Sequence, residues 1–260
     1  MKAARYIAIE KRLKNCNNVL TLGAKPNLDD YSPAEREMLR NAEKIYYPTA
    51  FYADIFHTMG KPIFPSYHSY VYAQDKVKQT ALFNLLDIPH PRTRTFYGNR
   101  KASRIAHHFK FPFIGKIPRG SALGRGVFLI TNEIELQRYC ESTHVAYIQE
   151  YFPIKRDLRV VVIGYDAVLA YWRVAPPFEY RTNVSIGGRV DFNAIPQPAV
   201  DLALETAKRC KWDDVGIDIL QFESDFFVLE GNMKYGKAGF AAAGIDYFKM
   251  MEEKIENGDI

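Results

Sequence analysis

Apolar residues along the chain fall into short runs and helical stripes, and their spacing predicts the elements. Val19-Leu20-Thr21-Leu22, closed by Gly23, reads as a buried strand. Ser32-Pro33-Ala34-Glu35 predicts a helix start, with Ser32 as N-cap, Pro33 in the first turn and an acid behind it. That helix should run to about Glu43, with a strand over Lys44–Tyr47. Tyr67 to Tyr72 is an aromatic-rich connection. From Asp75, the residues Val77, Ala81, Leu82 and Leu85 share one helical face until Ile88-Pro89-His90-Pro91 breaks the helix. Strands are then expected near Thr93–Phe96, Phe113–Ile117, Val127–Ile130 and Ala146–Phe152. Helices are expected over Lys101–Phe109 and Glu133–Cys140.

The second half is sheet-rich. Leu158–Gly164 and Ala167–Val174 are apolar runs separated by Tyr165-Asp166, a hairpin pattern. Val215–Phe222 and Phe226–Leu229 form a second hairpin across Glu223-Ser224-Asp225. Between them Ala199–Lys211 is a helix with Val200, Ala203, Leu204 and Ala207 inward, and an amphipathic helix follows Ile245. The pattern is α+β, with helices packed on antiparallel sheets. A change of texture at Asp75 separates a short α/β piece, residues 1–74, from a larger domain, residues 75–260.

Composition narrows the class. The 260 residues contain no apolar run near the roughly 20 needed to cross a bilayer, and the start lacks the apolar core of a secretory signal. Cys16, Cys140 and Cys210 are odd in number without CxxC spacing, which argues against a disulfide framework or zinc and for a reducing, cytoplasmic setting. The formal charge of +5 is read as spread along the chain, so nucleotide phosphates rather than nucleic acid are the expected anions.

Three groups of residues carry chemistry. Asp218 lies on one strand of the last hairpin, and Glu230 and Asn232 lie on the other. A turn near residue 224 sets Asp218 beside Glu230, while Glu230 and Asn232, two apart, share a face. Two carboxylates and an amide oxygen suit Mg2+, although three polar residues on a solvated sheet face would look the same. Lys116 ends a strand before Gly120-Ser121-Ala122-Leu123-Gly124-Arg125-Gly126, a loop whose backbone N–H groups can cradle an anion, or a plain tight turn. The third group follows Gln149-Glu150-Tyr151-Phe152: Asp157-Leu158-Arg159, then Arg173, then Arg181-Thr182-Asn183 leading to Gly187-Gly188. Arginines on facing strands can clamp a phosphoryl group, whereas most surface arginines only pair with neighbouring acids. Gly231 to Ala238 nearly matches a Walker A loop, but Ala238 stands where a hydroxyl is required and only 22 residues follow, so the match is treated as coincidence.

In order, these pieces resemble the RimK-like branch of the ATP-grasp superfamily. The resemblance covers Asp75-Lys76, Ile88-Pro89, Pro91-Arg92-Thr93, Lys116 with its glycine loop, Gln149-Glu150-Tyr151, Asp157-Leu158-Arg159, Arg181-Thr182-Asn183, Gly216-Ile217-Asp218 and Leu229-Glu230-Gly231-Asn232. It implies an ATP-grasp fold, two subdomains of about 75–148 and 149–260 sandwiching ATP, behind a short N-terminal domain. It further implies a carboxylate–amine ligase that works through an acyl-phosphate and uses ATP with Mg2+, or Mn2+ in its place. By this resemblance Lys76, Lys116, Gly120 and Ser121 meet the phosphates, Gln149, Glu150, Tyr151 and Phe152 meet adenine, and Asp157 meets the ribose. Arg181, Thr182 and Asn183 lie on the phosphate side, Asp218, Glu230 and Asn232 hold metal, and Arg159 and Arg173 steady the acyl-phosphate. The partners implied are small-molecule or peptide carboxylates and amines, without nucleic acid or membrane, and the aromatic stretch at 67–72 allows a homodimer. An ATP-grasp phosphotransferase and a non-catalytic nucleotide-binding module are the competing readings. The sequence departs from the pattern at Ile186-Gly187-Gly188 and at Lys234-Tyr235, both on the acceptor side.

Overall fold

The computed structural model describes residues 6–120, 126–177, 179, 182 and 187–260. In the N-terminal piece, β1 (Tyr6–Ala8), β2 (Leu20–Thr21), β3 (Lys44–Tyr46) and β4 (Ile63–Phe64) form a parallel sheet in the order β2-β1-β3-β4. Helix α1 (Pro33–Asn41) begins as predicted: Ser32 Oγ accepts from the Glu35 N–H at 3.2 Å, and the Glu35 carboxylate accepts from the Ser32 N–H at 2.7 Å. Strands β2 and β3 fall within the predicted runs at 19–22 and 44–47, whereas β1 and β4 have no counterpart among the predicted elements. Helices α2 (Ala50–Thr58) and α3 (Tyr67–Tyr72) complete this piece. The tyrosines of the aromatic stretch are half-buried: Tyr67 stacks on the exposed His57 at 4.0 Å and Tyr72 packs on Trp212 at 5.9 Å.

A second, antiparallel sheet holds β5 (Thr93–Tyr97), β6 (Phe113–Lys116), β7 (Val127–Ile130) and β8 (Val145–Glu150) in the order β5-β8-β6-β7. Helices α5 (Lys101–His108) and α6 (Glu133–Ser142) cover one face, with Phe96, Ile105, Phe109, Leu136 and Ile148 between them. The other face carries Lys116 and Tyr147, paired across β6 and β8.

The third sheet, order β11-β10-β9-β12-β13, is antiparallel and built from β9 (Arg156–Ile163), β10 (Asp166–Val174), β11 (Arg189–Asp191), β12 (Asp214–Phe222) and β13 (Asp225–Asn232). Strand β9 is buried on both faces, which explains its unbroken apolar run. Leu158, Val160 and Val162 pack toward α7 (Gln197–Cys210), whereas Val161 and Ile163 pack with Ala8, Tyr46 and Met251. On that second side lie α8 (Ala238–Ala242) and α9 (Tyr247–Glu256), so the C-terminus locks the N-terminal sheet onto the third.

Helix α4 (Lys76–Leu85) differs from its predicted face. Gln79, Thr80 and Phe83 are buried while Leu85 is 83% exposed. Phe83 sits 5.8 Å from Trp212, so α4 packs into the core of the third sheet. Its polar inward residues are there for hydrogen bonding, and polarity is what hid the true face. Among the described residues no helix is long and apolar enough to cross a membrane.

Candidate active site

The last hairpin depends on a bulge. From the turn, Phe222 pairs with Asp225 and Ile219 with Val228, but beyond that the register shifts and Asp218 pairs with Glu230. Leu229 is therefore the extra residue. Without it Glu230 would lie opposite Ile217, whose side chain is buried in the core beneath α7. The bulge turns Glu230 to the face of Asp218, a use of bulges common beside functional sites. Asn232 Nδ2 reaches both carboxylates, Asp218 Oδ2 at 3.0 Å and Glu230 Oε1 at 3.1 Å. Two glycines allow the close packing. A Cβ on Gly231 would meet the Trp212 ring at 2.6 Å, and one on Gly216 would meet Arg159 Cδ at 3.0 Å.

Lysines come from the other elements. Lys76 Nζ, at the start of α4, lies 3.0 Å from Glu230 Oε2. Lys116, at the end of β6, is 8% exposed. Burial drives its ammonium down to about 8, against the opposing pull of Glu230. Burial alone would raise Glu230, but the charges of Lys76 and Lys116 outweigh it and hold that carboxyl at about 2. Glu230 in turn raises Lys76.

Behind this pair stands a buried arginine–carboxylate lattice. Arg159 forks onto both oxygens of Asp218, with Nη2–Oδ2 at 2.9 Å. Arg173 forks onto Asp157 with both contacts at 2.7 Å, and its Nη2 also reaches Asp218 Oδ2 at 2.9 Å. Thr182 Oγ1 donates to Asp157 Oδ2 at 2.7 Å. Asp157 thus has both oxygens bonded and is 4% exposed, which makes it the anchor of Arg173.

The structure brings Lys76, Lys116, Arg159, Arg173, Asp218, Glu230 and Asn232 into one cleft. Gln149 and Glu150 end β8 at its edge, where Gln149 Nε2 donates to Thr93 Oγ1 at 3.1 Å. Phe152 packs against Phe222 and Phe227 at 4.9 and 5.5 Å between centroids, and Tyr151 precedes it in the connection to β9. Gly120 is exposed at φ +68°. Ser121, Arg181 and Asn183 lie outside the described residues. Lys237 of the Walker-like stretch donates to the Arg12 carbonyl at 3.2 Å, which engages it away from any phosphate.

Among the described residues, four cations in the cleft (Lys76, Lys116, Arg159, Arg173) face three carboxylates (Asp157, Asp218, Glu230). That surplus of positive charge sets the test for a metal. Hard oxygens on Asp218, Glu230 and Asn232 suit Mg2+, and the Asn232 amide already bridges the two carboxylates; turned over, it offers Oδ1. The donor set therefore fits a divalent cation that arrives with phosphate, and disfavours a bare ion.

A model of the RimK-like ATP-grasp domain matches residues 73–255. The chain belongs to that family. Coenzyme gamma-F420-2:alpha-L-glutamate ligase of Methanococcus maripaludis is 27% identical to this RimK-like chain over 206 residues, 76% of the chain and 70% of the relative. Ribosomal protein bS6--L-glutamate ligase of Escherichia fergusonii is 30% identical over 156 residues, 56% of the chain and 50% of the relative. The chain thus spans between 50% and 70% of the length of these two curated relatives. The solved structure of ATP-grasp ligase PsnB, complexed with a phosphomimetic variant of a minimal precursor, Mg and ADP, gives a TM-score of 0.74 at 13% identity and covers 100% of both chains. At that identity it supports the fold alone.

Two supports of this RimK-like site escaped the sequence. Gln79 clips the backbone beside the metal-ligand candidates: Gly231 N–H donates to its Oε1 at 2.9 Å, and its Nε2 donates to the Gly231 carbonyl at 2.9 Å. The sequence carries no signal for this contact, since a glutamine off the apolar stripe of a helix looks the same whether it is buried or solvated. Arg12, from the N-terminal piece, donates from Nε to Tyr247 Oη at 2.9 Å and from Nη1 to the Tyr235 carbonyl at 3.2 Å. Its guanidinium lies 4.4 Å from the Tyr235 ring centroid, and Tyr235 Oη donates to the fully buried Asp214. Lys234 reaches Glu10 at 3.4 Å. The departures at Lys234 and Tyr235 thus tie the strand end of the site to the N-terminal sheet.

Proposed function

We propose that this chain is an ATP-dependent carboxylate–amine ligase that activates a carboxylate as its acyl-phosphate and transfers the acyl group to an amine. The observation that carries the reading is the meeting of Lys76 and Lys116 with Glu230 on a bulged hairpin that also presents Asp218 and Asn232. Lys76 and Lys116 would hold nucleotide phosphates, with the backbone near Gly120 beside them. Gln149, Glu150, Tyr151 and Phe152 would line the adenine side, at a division of the chain near 148/149 with a further boundary near 74/75. Asp218, Glu230 and Asn232 would hold Mg2+, or Mn2+ in its place. When bound, that cation supplies neutralisation of phosphate oxygens during attack by the carboxylate.

Arg159 and Arg173 supply the fixed positive charge that a phosphorylated carboxylate and its tetrahedral successor need. Burial lowers Arg173, but Asp157 and Asp218 raise it far more, so it stays charged throughout. No side chain is needed as a nucleophile. The names of the relatives favour an amino acid such as glutamate as the amine, and a protein or a small molecule as the carboxylate. The test is incubation with Mg-ATP and a panel of amino acids and carboxylate acceptors. ADP and phosphate release together with an amide product supports the reading; a stable phosphorylated product in its place makes the chain a phosphotransferase. Nucleotide binding without turnover on the whole panel would count against both.

A further inference from the structure

The chain's positive charge is concentrated. Residues 88–132 contain no aspartate or glutamate, yet hold nine lysines and arginines, which leaves the rest of the chain at −4. Of these nine, Lys116 faces Glu230, Arg119 pairs with Asp75 at 2.8 Å, and Arg125 lies outside the described residues. The other six are Arg92, Arg94, Arg100, Lys101, Arg104 and Lys110. They lie on β5, on α5 and just beyond their ends, and all but Lys101 are exposed. Among the described residues no carboxylate forms an ion pair with any of them.

Three of the arginines converge on an aromatic base. Arg94 of β5 and Arg104 of α5 lie 5.6 and 5.8 Å from the Phe96 ring centroid, and Arg92 lies 4.4 Å from that of Phe109. The two rings are 6.3 Å apart, and Arg92 Nη1 donates to the His108 carbonyl at 3.0 Å. Guanidinium groups held against rings lose less freedom on binding than free side chains do.

This face is separate from the nucleotide cleft. Cross-strand register puts Arg94 with Ile148 and Phe96 with Ala146, on the side covered by α5 and α6. Thr93, Thr95, Tyr147, Gln149 and Lys116 share the opposite side. Cations outside the cleft cannot serve its phosphates, and a small metabolite held in the cleft would not reach them. They match a large anionic partner.

We propose that the β5–α5 face docks an acidic polypeptide that carries the carboxylate to be ligated; this rests on the ligase reading above. A polypeptide is favoured over nucleic acid because the two rings beneath the arginines, Phe96 and Phe109, are 0% and 4% exposed, so neither offers a face on which a base could stack. Guanidinium forks match carboxylates in pairs.

The test is fluorescence anisotropy with a labelled glutamate-rich peptide, compared with an oligonucleotide of equal net charge, on the full chain at physiological salt. The variants are Arg94→Glu with Arg104→Glu, the milder Arg94→Gln with Arg104→Gln, and Lys11→Glu with Lys14→Glu as a control of equal charge change. Thermal melting checks that each is folded. The expected result is peptide binding weakened at least about tenfold by the first pair, less by the second, and unchanged by the control. Equal loss in patch and control variants, tighter binding of the oligonucleotide, or no peptide binding by the wild type would overturn the proposal. Binding is read without turnover, so failure of the ligase reading would show separately, in the ADP-release assay.

Discussion

Replacing Lys116 with methionine should make the protein more stable and worse at holding nucleotide. The Lys116 ammonium is 8% exposed, and burial depresses it from 10.5 to about 8. At about 1.4 kcal/mol per unit, keeping it charged in the folded chain costs about 3 kcal/mol. That cost is present in full below pH about 8 and fades as pH rises toward 10.5, because in that window the unfolded chain binds the proton and the folded chain releases it. Wild-type stability should therefore gain from this group as pH rises from 8 to 10. Methionine has a similar length and no charge, and Glu230 keeps Lys76 as its partner at 3.0 Å. Lys116→Met should gain about 1–3 kcal/mol at pH 7 and lose the pH dependence above 8, while binding Mg-ADP about 10–100-fold more weakly. Urea unfolding across pH and calorimetric titration of Mg-ADP measure both. A variant that is less stable at pH 7 and binds nucleotide as well as the wild type would refute the placement of Lys116.

Other expectations follow from contacts away from the phosphates. Gly231→Ala drives a Cβ to 2.6 Å from Trp212, so overpacking should exceed any backbone benefit and cost about 1–3 kcal/mol by denaturant unfolding. Arg12→Met leaves Asp214 buried without its nearby cation and should lower stability by about 3 kcal/mol or more, with Arg12→Lys recovering part of it; equal melting temperatures for all three proteins would contradict the clamp. Calorimetry should detect little binding of free Mg2+ to the chain without nucleotide, since the cleft already holds more cations than carboxylates; tight binding of the bare ion would count against that charge balance.

The parts of the site legible in the sequence were those fixed by period. Asp218 and Glu230 could be set side by side by counting from a turn, and the count comes out right because Leu229 bulges out and offsets a turn that sits half a residue early. The third sheet was legible because its strands are long, eight or nine residues in four of the five. In the N-terminal sheet, β2 and β3 fall within the predicted runs at 19–22 and 44–47, whereas β1 and β4 left no such trace. Gln79 and Arg12 were missed for a different reason: each is a polar residue whose partners at the strand end of the site lie more than 150 positions away, and pattern along the chain says nothing about them. The basic face was missed because its signal is an absence of acids over 45 residues rather than a dense run of lysines.

The central claim is tested most directly by titrating ADP into wild type and Glu230→Gln, each with Mn2+ present or absent, with electron paramagnetic resonance following the bound metal. Wild type should take up Mn2+ only together with ADP, and Glu230→Gln should lose the metal signal while remaining folded. Full Mn2+ uptake by the variant, or no ADP binding by the wild type, would contradict the account.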